Sequence, residues 1–122
     1  VLMPLTRRLW AFFCYLHGLT CYWRDDHRAT VRWLTRSVSL DPSNAGVDVD
    51  AMIGESLACM GQHSEALKHL EPAFAAWRRC RERGTPCEIA DELAVHVFPV
   101  LIQELHVVGR HEDAVRTRSD FD

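Results

Sequence analysis

One pattern, written more than once, constrains this chain more than any other: a helix, a three-residue turn with glycine at its centre, and a second helix opening on a small residue. It runs Ile53-Gly54-Glu55-Ser56-Leu57-Ala58-Cys59-Met60-Gly61-Gln62-His63-Ser64-Glu65-Ala66-Leu67, and its turn returns as Leu105-His106-Val107-Val108-Gly109-Arg110-His111-Glu112-Asp113-Ala114-Val115, with Ala114 lying 48 residues after Ala66. Breaks at Arg24-Asp25-Asp26, Asp41 to Gly46, Gly61-Gln62, Gly84-Thr85-Pro86 and Gly109-Arg110 delimit six segments. Strand signals are nearly absent, with no Asn-Gly or Asp-Gly hairpin turn and no long apolar/polar alternation. The spacing predicts helices over 5–23, 26–40, 47–60, 63–83, 87–108 and 111–120, and so an all-α chain.

Each element of the pattern has a mechanical reason. Gly54 and Ala66 are small where two antiparallel helices need close backbone approach, and Leu57 and Leu70 fill the space beside them. Gly61 and Gly109 supply the left-handed backbone that ends one helix and turns the chain into the next. Pro42 stops the second segment, so the third starts a new layer. In the first pair Asp25-Asp26 stands where the others carry glycine.

These residues resemble the tetratricopeptide repeat family. Leu70 and Ala73 follow at that repeat's large and small packing positions, and Ser39-Leu40-Asp41-Pro42-Ser43-Asn44 is similar to the Leu-Asp-Pro-x-Asn that closes many such repeats. In the first pair the family usually holds Leu and Ala where this chain has His17 and Thr30. The resemblance covers about residues 11–120. It implies one domain, 1–122, built as a right-handed superhelix of three antiparallel helix pairs at about 5–44, 47–83 and 87–120. It also implies a concave groove, lined by the first helix of each pair, that takes a peptide or a partner's helix. Carried over position by position, that groove exposes Tyr15 and Leu19, then Asp48, Met52, Glu55 and Cys59, then His96, Val100, Gln103 and His106. Members that clamp acidic chaperone tails hold the carboxylates with Lys and Asn, where this chain has Tyr15, Leu19 and Met52, so a partly apolar ligand is expected instead. Two other readings stay open: the long arms around Gly84-Thr85-Pro86 are similar to ligand- or peptide-sensing domains of transcription regulators, and the chain suits a structural subunit of a larger assembly.

Composition narrows the classes further. Hydrophobic residues make up 48% and charged residues 25% of the 122, enough apolar material for a real core. A net charge of −3 gives no basis for direct nucleic-acid binding. The apolar run from Leu9 to Trp23 is shorter than the ~20 residues of a spanning helix, so no membrane insertion is expected. Val1 is not an initiator methionine, so we expect the sequence to begin inside a longer chain. Five cysteines, an odd number with no CxxC pair, fit buried thiols in a reducing compartment, the cytoplasm.

Chemistry-bearing constellations are few. Cys14, His17 and Cys21 share one helical face at i, i+3 and i+7, but the same face is the inner packing stripe, and neither metal nor cofactor is expected. His63 and His69 lack evident carboxylate partners, and His106 and His111 straddle a turn. Glu55, Glu65, Asp91 and Glu92 read as solvated, no phosphate loop or nucleophile elbow occurs, and no enzyme activity is expected. Arg78, Arg79, Arg81 and Arg83 cluster at a helix C-terminus, where cations oppose the dipole, with Glu82 and Glu88 as partners; an acidic ligand is the alternative. The first segment carries Trp10, Phe12, Phe13, Tyr15, Tyr22 and Trp23, more than one neighbouring helix pair can cover. Either the third helix and Trp33 cover this helix, or it makes a contact, with an upstream segment or in a homodimer through Trp10, Phe13 and Trp23, and self-association is the outcome we expect.

Overall fold

A computed structural model describes residues 4–87 and 89–122. Six α-helices carry the chain: α1 Leu5–Trp23, α2 His27–Leu40, α3 Val47–Cys59, α4 His63–Arg83, α5 Asp91–Val107 and α6 His111–Phe121, with a 3₁₀ turn at Pro42–Asn44 and no strand among the described residues. None of these helices is long and apolar enough to cross a membrane.

The helices fall into three pairs with one turn geometry. Residues 24–26, 60–62 and 108–110 join the pairs, and the central residue is left-handed each time: Asp25 at φ 59°, Gly61 at 79° and Gly109 at 84°. The third residue of each turn donates its amide to the carbonyl five residues back, as Asp26 to Cys21, Gln62 to Leu57 and Arg110 to Leu105, satisfying carbonyls that the helix end would strand. A three-residue connection between packed helices makes each pair antiparallel.

The closest approaches repeat as well. A Cβ on Gly18 would stand 2.6 Å from Leu34 Cδ2, and one on Gly54 would stand 2.6 Å from Leu70 Cγ and 3.2 Å from the Ala66 carbonyl oxygen. Glycine at 18 and 54 thus lets α2 lie against α1 and α4 against α3. Thr30, Ala66 and Ala114, the small residues opening the second helices, are all fully buried. Thr30 satisfies its hydroxyl on the Asp26 carbonyl oxygen at 2.8 Å, so a polar residue is tolerated at that contact.

The pairs stack in order, α2 on α3 and α4 on α5, while α3 also meets α5. Phe74, Trp77, Phe98 and Phe121 hold the third pair onto the second, with Phe98 fully buried and its ring 5.0 Å from Phe74 and 5.3 Å from Trp77. One boundary differs from expectation. α5 begins at Asp91, not 87, because Ile89 inserts into the core and Ala90, in extended backbone, precedes the helix. Asp91 and Glu92 then supply the negative charge that a helix N-terminus favours.

Candidate functional site: the face of the first helices

Two side-chain bridges tie the first helices of the pairs together. Tyr22 on α1 donates its hydroxyl to Glu55 Oε2 on α3 at 2.6 Å, and His96 Nε2 on α5 lies 3.0 Å from Glu55 Oε1. One buried carboxylate therefore connects all three helices. Farther along, Tyr15 donates to Asp48 Oδ2 at 3.5 Å. Burial, with Glu55 close by, pushes the Tyr22 hydroxyl far above its ordinary range, and burial beside Asp48 pushes Tyr15 up as well.

The expected groove residues divide into three groups. Cys59, His96, Gln103 and His106 are exposed. Tyr15, Leu19, Asp48 and Val100 are half-buried, with Tyr15, Leu19 and Val100 packed against the core. Met52 and Glu55 are 3% and 5% exposed and do not present to solvent: Met52 joins the core, and Glu55 is engaged by Tyr22 and His96. Glu55 is thus not the solvated carboxylate its local sequence suggests. Tyr22 carries no local sequence signal of a site residue because its partner lies 33 positions away.

The histidines are likewise used at joints between helices. His63 pairs with the buried Glu104 of α5, His69 Nδ1 lies 3.0 Å from Asp50 Oδ1, and His27 Nδ1 lies 3.3 Å from Ser56 Oγ. This corrects the expectation that His63 and His69 lack carboxylate partners. His106 and His111 face each other across the last turn with their Nδ1 atoms 2.8 Å apart.

Ser56 and His27 have the residue types of a nucleophile and base, but Ser56 is fully buried, out of reach of a substrate. Burial and the nearby carboxylates Glu55, Asp25 and Glu104 push the Cys59 thiol up, away from the thiolate a nucleophile needs. Cys14 and Cys21 are buried while His17 turns outward to meet Trp33 edge-on at 4.7 Å, so the three do not converge. Among the described residues no group of three or more His, Cys, Asp or Glu is placed to hold a metal ion.

A separate cleft of ≈ 320 Å³ lies between α4, α5 and α6, with Phe74, Leu101 and Leu105 among its lining. Its arginines are mostly committed. Arg78 bonds Asp120 at 2.7 Å and pairs with Glu82, and Arg110 grips Glu71 and Asp113, tying α4 to α6. Arg81 lies over the Trp77 ring. Glu88, expected as a further partner, lies outside the described residues.

No protein-family model matches the chain, and neither a curated protein nor a solved structure matches it. The class that the fold defines is that of an all-helical protein of three helix pairs.

Proposed function

We propose that this chain is a non-catalytic protein-binding scaffold, a right-handed superhelix of tetratricopeptide-like pairs whose row of first helices receives a peptide or a partner's helix. The observation that carries this is the Tyr22–Glu55–His96 bridge, which links α1, α3 and α5 through one buried carboxylate. Helices tied at fixed spacing offer a preformed surface, and a preformed surface loses less entropy on binding. Cys59, His96, Gln103 and His106 are the open contacts, while Tyr15, Leu19 and Val100 give the row a partly apolar floor. No cofactor enters this reading. Cys14, Cys21, Cys59 and Cys80 as free thiols support a reducing cytoplasmic setting. The similarity of the long α4 arm, which reaches Arg83, to sensor domains supports a second reading, a peptide-sensing module of a regulator.

A peptide library panned on the immobilised chain tests the proposal. Selected sequences should bind the parent and lose about tenfold or more in affinity to Gln103→Arg or Cys59→Trp, both changes at exposed positions. Enrichment of no sequence family, or binding indifferent to both variants, would count against it.

A further inference from the structure

We infer that α1 is a dimerisation helix, pairing antiparallel with α1 of a second copy of this chain about a two-fold axis. Leu5, Leu9, Phe12, Phe13, Leu16 and Trp23 are between 42% and 68% exposed. At about 100° per residue these six fall within roughly 100° of the helix circumference. Trp10 lies about 120° away from their centre, on the flank where His17 meets Trp33, and so stands outside the seam. Positions 5, 9, 12, 16 and 23 follow the alternating steps of four and three by which one helix receives another. What covers the seam therefore has the form of a helix.

Inside the molecule the corresponding face is always covered. His27 of α2 reaches Ser56 of α3, and His63 of α4 reaches Glu104 of α5, so each later first helix lies under the second helix of the pair before it. Counting back from Val49, Met52 and Ser56, all buried, by the spacing that relates Gly54 to Gly18 gives Phe13, Leu16 and Thr20, all exposed. The opposite end of the stack cannot supply the cover. There α6 presents exposed His111, Val115 and Arg118, the first at the position that matches His63, a surface too polar to seat six large apolar side chains. Elsewhere the large hydrophobics exposed among the described residues are valines only. Among the described residues, the apolar surface that complements the seam is the seam itself.

Area and charge agree with a second copy. The six side chains expose roughly 700 Å², near the ~800 Å² each partner gives a standard interface and above the few hundred of an ordinary monomer patch. Arg7 and Arg8 sit in the first turns of α1, at the positive end of its dipole, with Asp25 and Asp26 just past its negative end. α2 already answers two of these charges, Arg7 through the Leu40 carbonyl oxygen at 2.8 Å and Asp26 as the cap of α2, and antiparallel pairing brings exposed Arg8 of one copy toward the helix end and Asp25 of the other.

Sedimentation equilibrium on the chain and two variants tests this. The parent should be a dimer at micromolar concentration, and Leu16→Glu should raise the dissociation constant about 30-fold or more, the change expected of an interface hot spot, with helix content by circular dichroism unchanged. Phe13→Ser, which introduces no charge, should weaken the dimer in the same direction. With exposed Cys59 replaced by Ser, mixed Leu5→Cys and Trp23→Cys chains should form the 5-to-23 cross-link and not 5-to-5. A monomeric parent, or a Leu16→Glu chain that dimerises as well as the parent, overturns the inference, and a 5-to-5 cross-link overturns the antiparallel arrangement. None of these outcomes depends on peptide binding to the row of first helices.

Discussion

Gly54 and Leu70 meet so closely that a methyl group on the glycine would lie 2.6 Å from Leu70 Cγ, and Leu70, fully buried, has no free space into which to turn. Gly18 and Leu34 repeat the relationship in the first pair. Helix propensity favours Gly54→Ala by about 1 kcal/mol, while overpacking costs about 1–3 kcal/mol. The net expectation is a loss of about 1 kcal/mol in urea unfolding, and Ala66→Leu, with no propensity gain, should lose the full 1–3 kcal/mol. A stabilised Gly54→Ala would show the contact to be loose.

The turn residues separate strain from packing. A Cβ on Gly61 or Gly109 meets nothing within 4 Å, so the left-handed backbone alone sets the cost of Gly61→Ala and Gly109→Ala, about 1 kcal/mol each. Asp25 already carries that strain at φ 59°, and Asp25→Gly should leave stability unchanged or raise it by up to about 1 kcal/mol. A loss on Asp25→Gly, read from the denaturation midpoint, would mean that the aspartate side chain contributes more than its backbone costs.

The six helices and their turns were legible because glycine, proline and aspartate punctuate the chain and the helical faces are periodic. The start of α5 was not: no breaker separates Pro86 from Asp91, and what holds Ile89 out of the helix is its burial, a tertiary effect. The site was legible by helix and not by contact. Cys59, His96, Gln103 and His106 fall on exposed positions, but Glu55 read as solvated because neither Tyr22 nor His96 is near it in sequence. His63 and Glu104, and His69 and Asp50, were hidden for the same reason.

Phe98 is the centre of the aromatic cluster that attaches the third pair. Phe98→Ala removes a fully buried ring and should cost about 3–5 kcal/mol. Loss of α5 and α6 amide protection before that of α1 to α4, in hydrogen exchange on the variant, is the expected signature. Uniform loss of protection would show that the ring does not act as the joint of this pair.

Both tyrosines of the chain are shifted upward, Tyr22 by burial and by Glu55, Tyr15 by burial and by Asp48. A folded pKa above the unfolded value of about 10 contributes stability that is complete below pH 10 and lost as pH climbs from there toward the folded value. Ultraviolet titration should therefore show little phenolate absorbance in the native protein at pH 10, with ionisation arriving together with unfolding. Half of the full absorbance change at pH 10 in a folded sample would contradict the Tyr22–Glu55 bridge. Tyr22→Phe should flatten the alkaline limb while leaving Glu55 short of one donor.

Arg110 clamps α4 to α6 through Glu71 and Asp113, but all three side chains are a third or more exposed. Arg110→Ala should cost no more than about 1 kcal/mol at low salt, and less at high salt. A larger, salt-independent loss would show that the guanidinium is held by packing more than by charge.

The row of first helices as the binding face is tested most directly by amide shift mapping, with a peptide selected on the chain titrated into isotope-labelled protein. Binding there predicts shifts concentrated at Cys59, His96, Gln103, His106 and the half-buried Tyr15 and Asp48, while the outer faces of α2, α4 and α6 stay unchanged. Shifts centred instead on the cleft between α4 and α6, around Arg78 and Arg110, would contradict it.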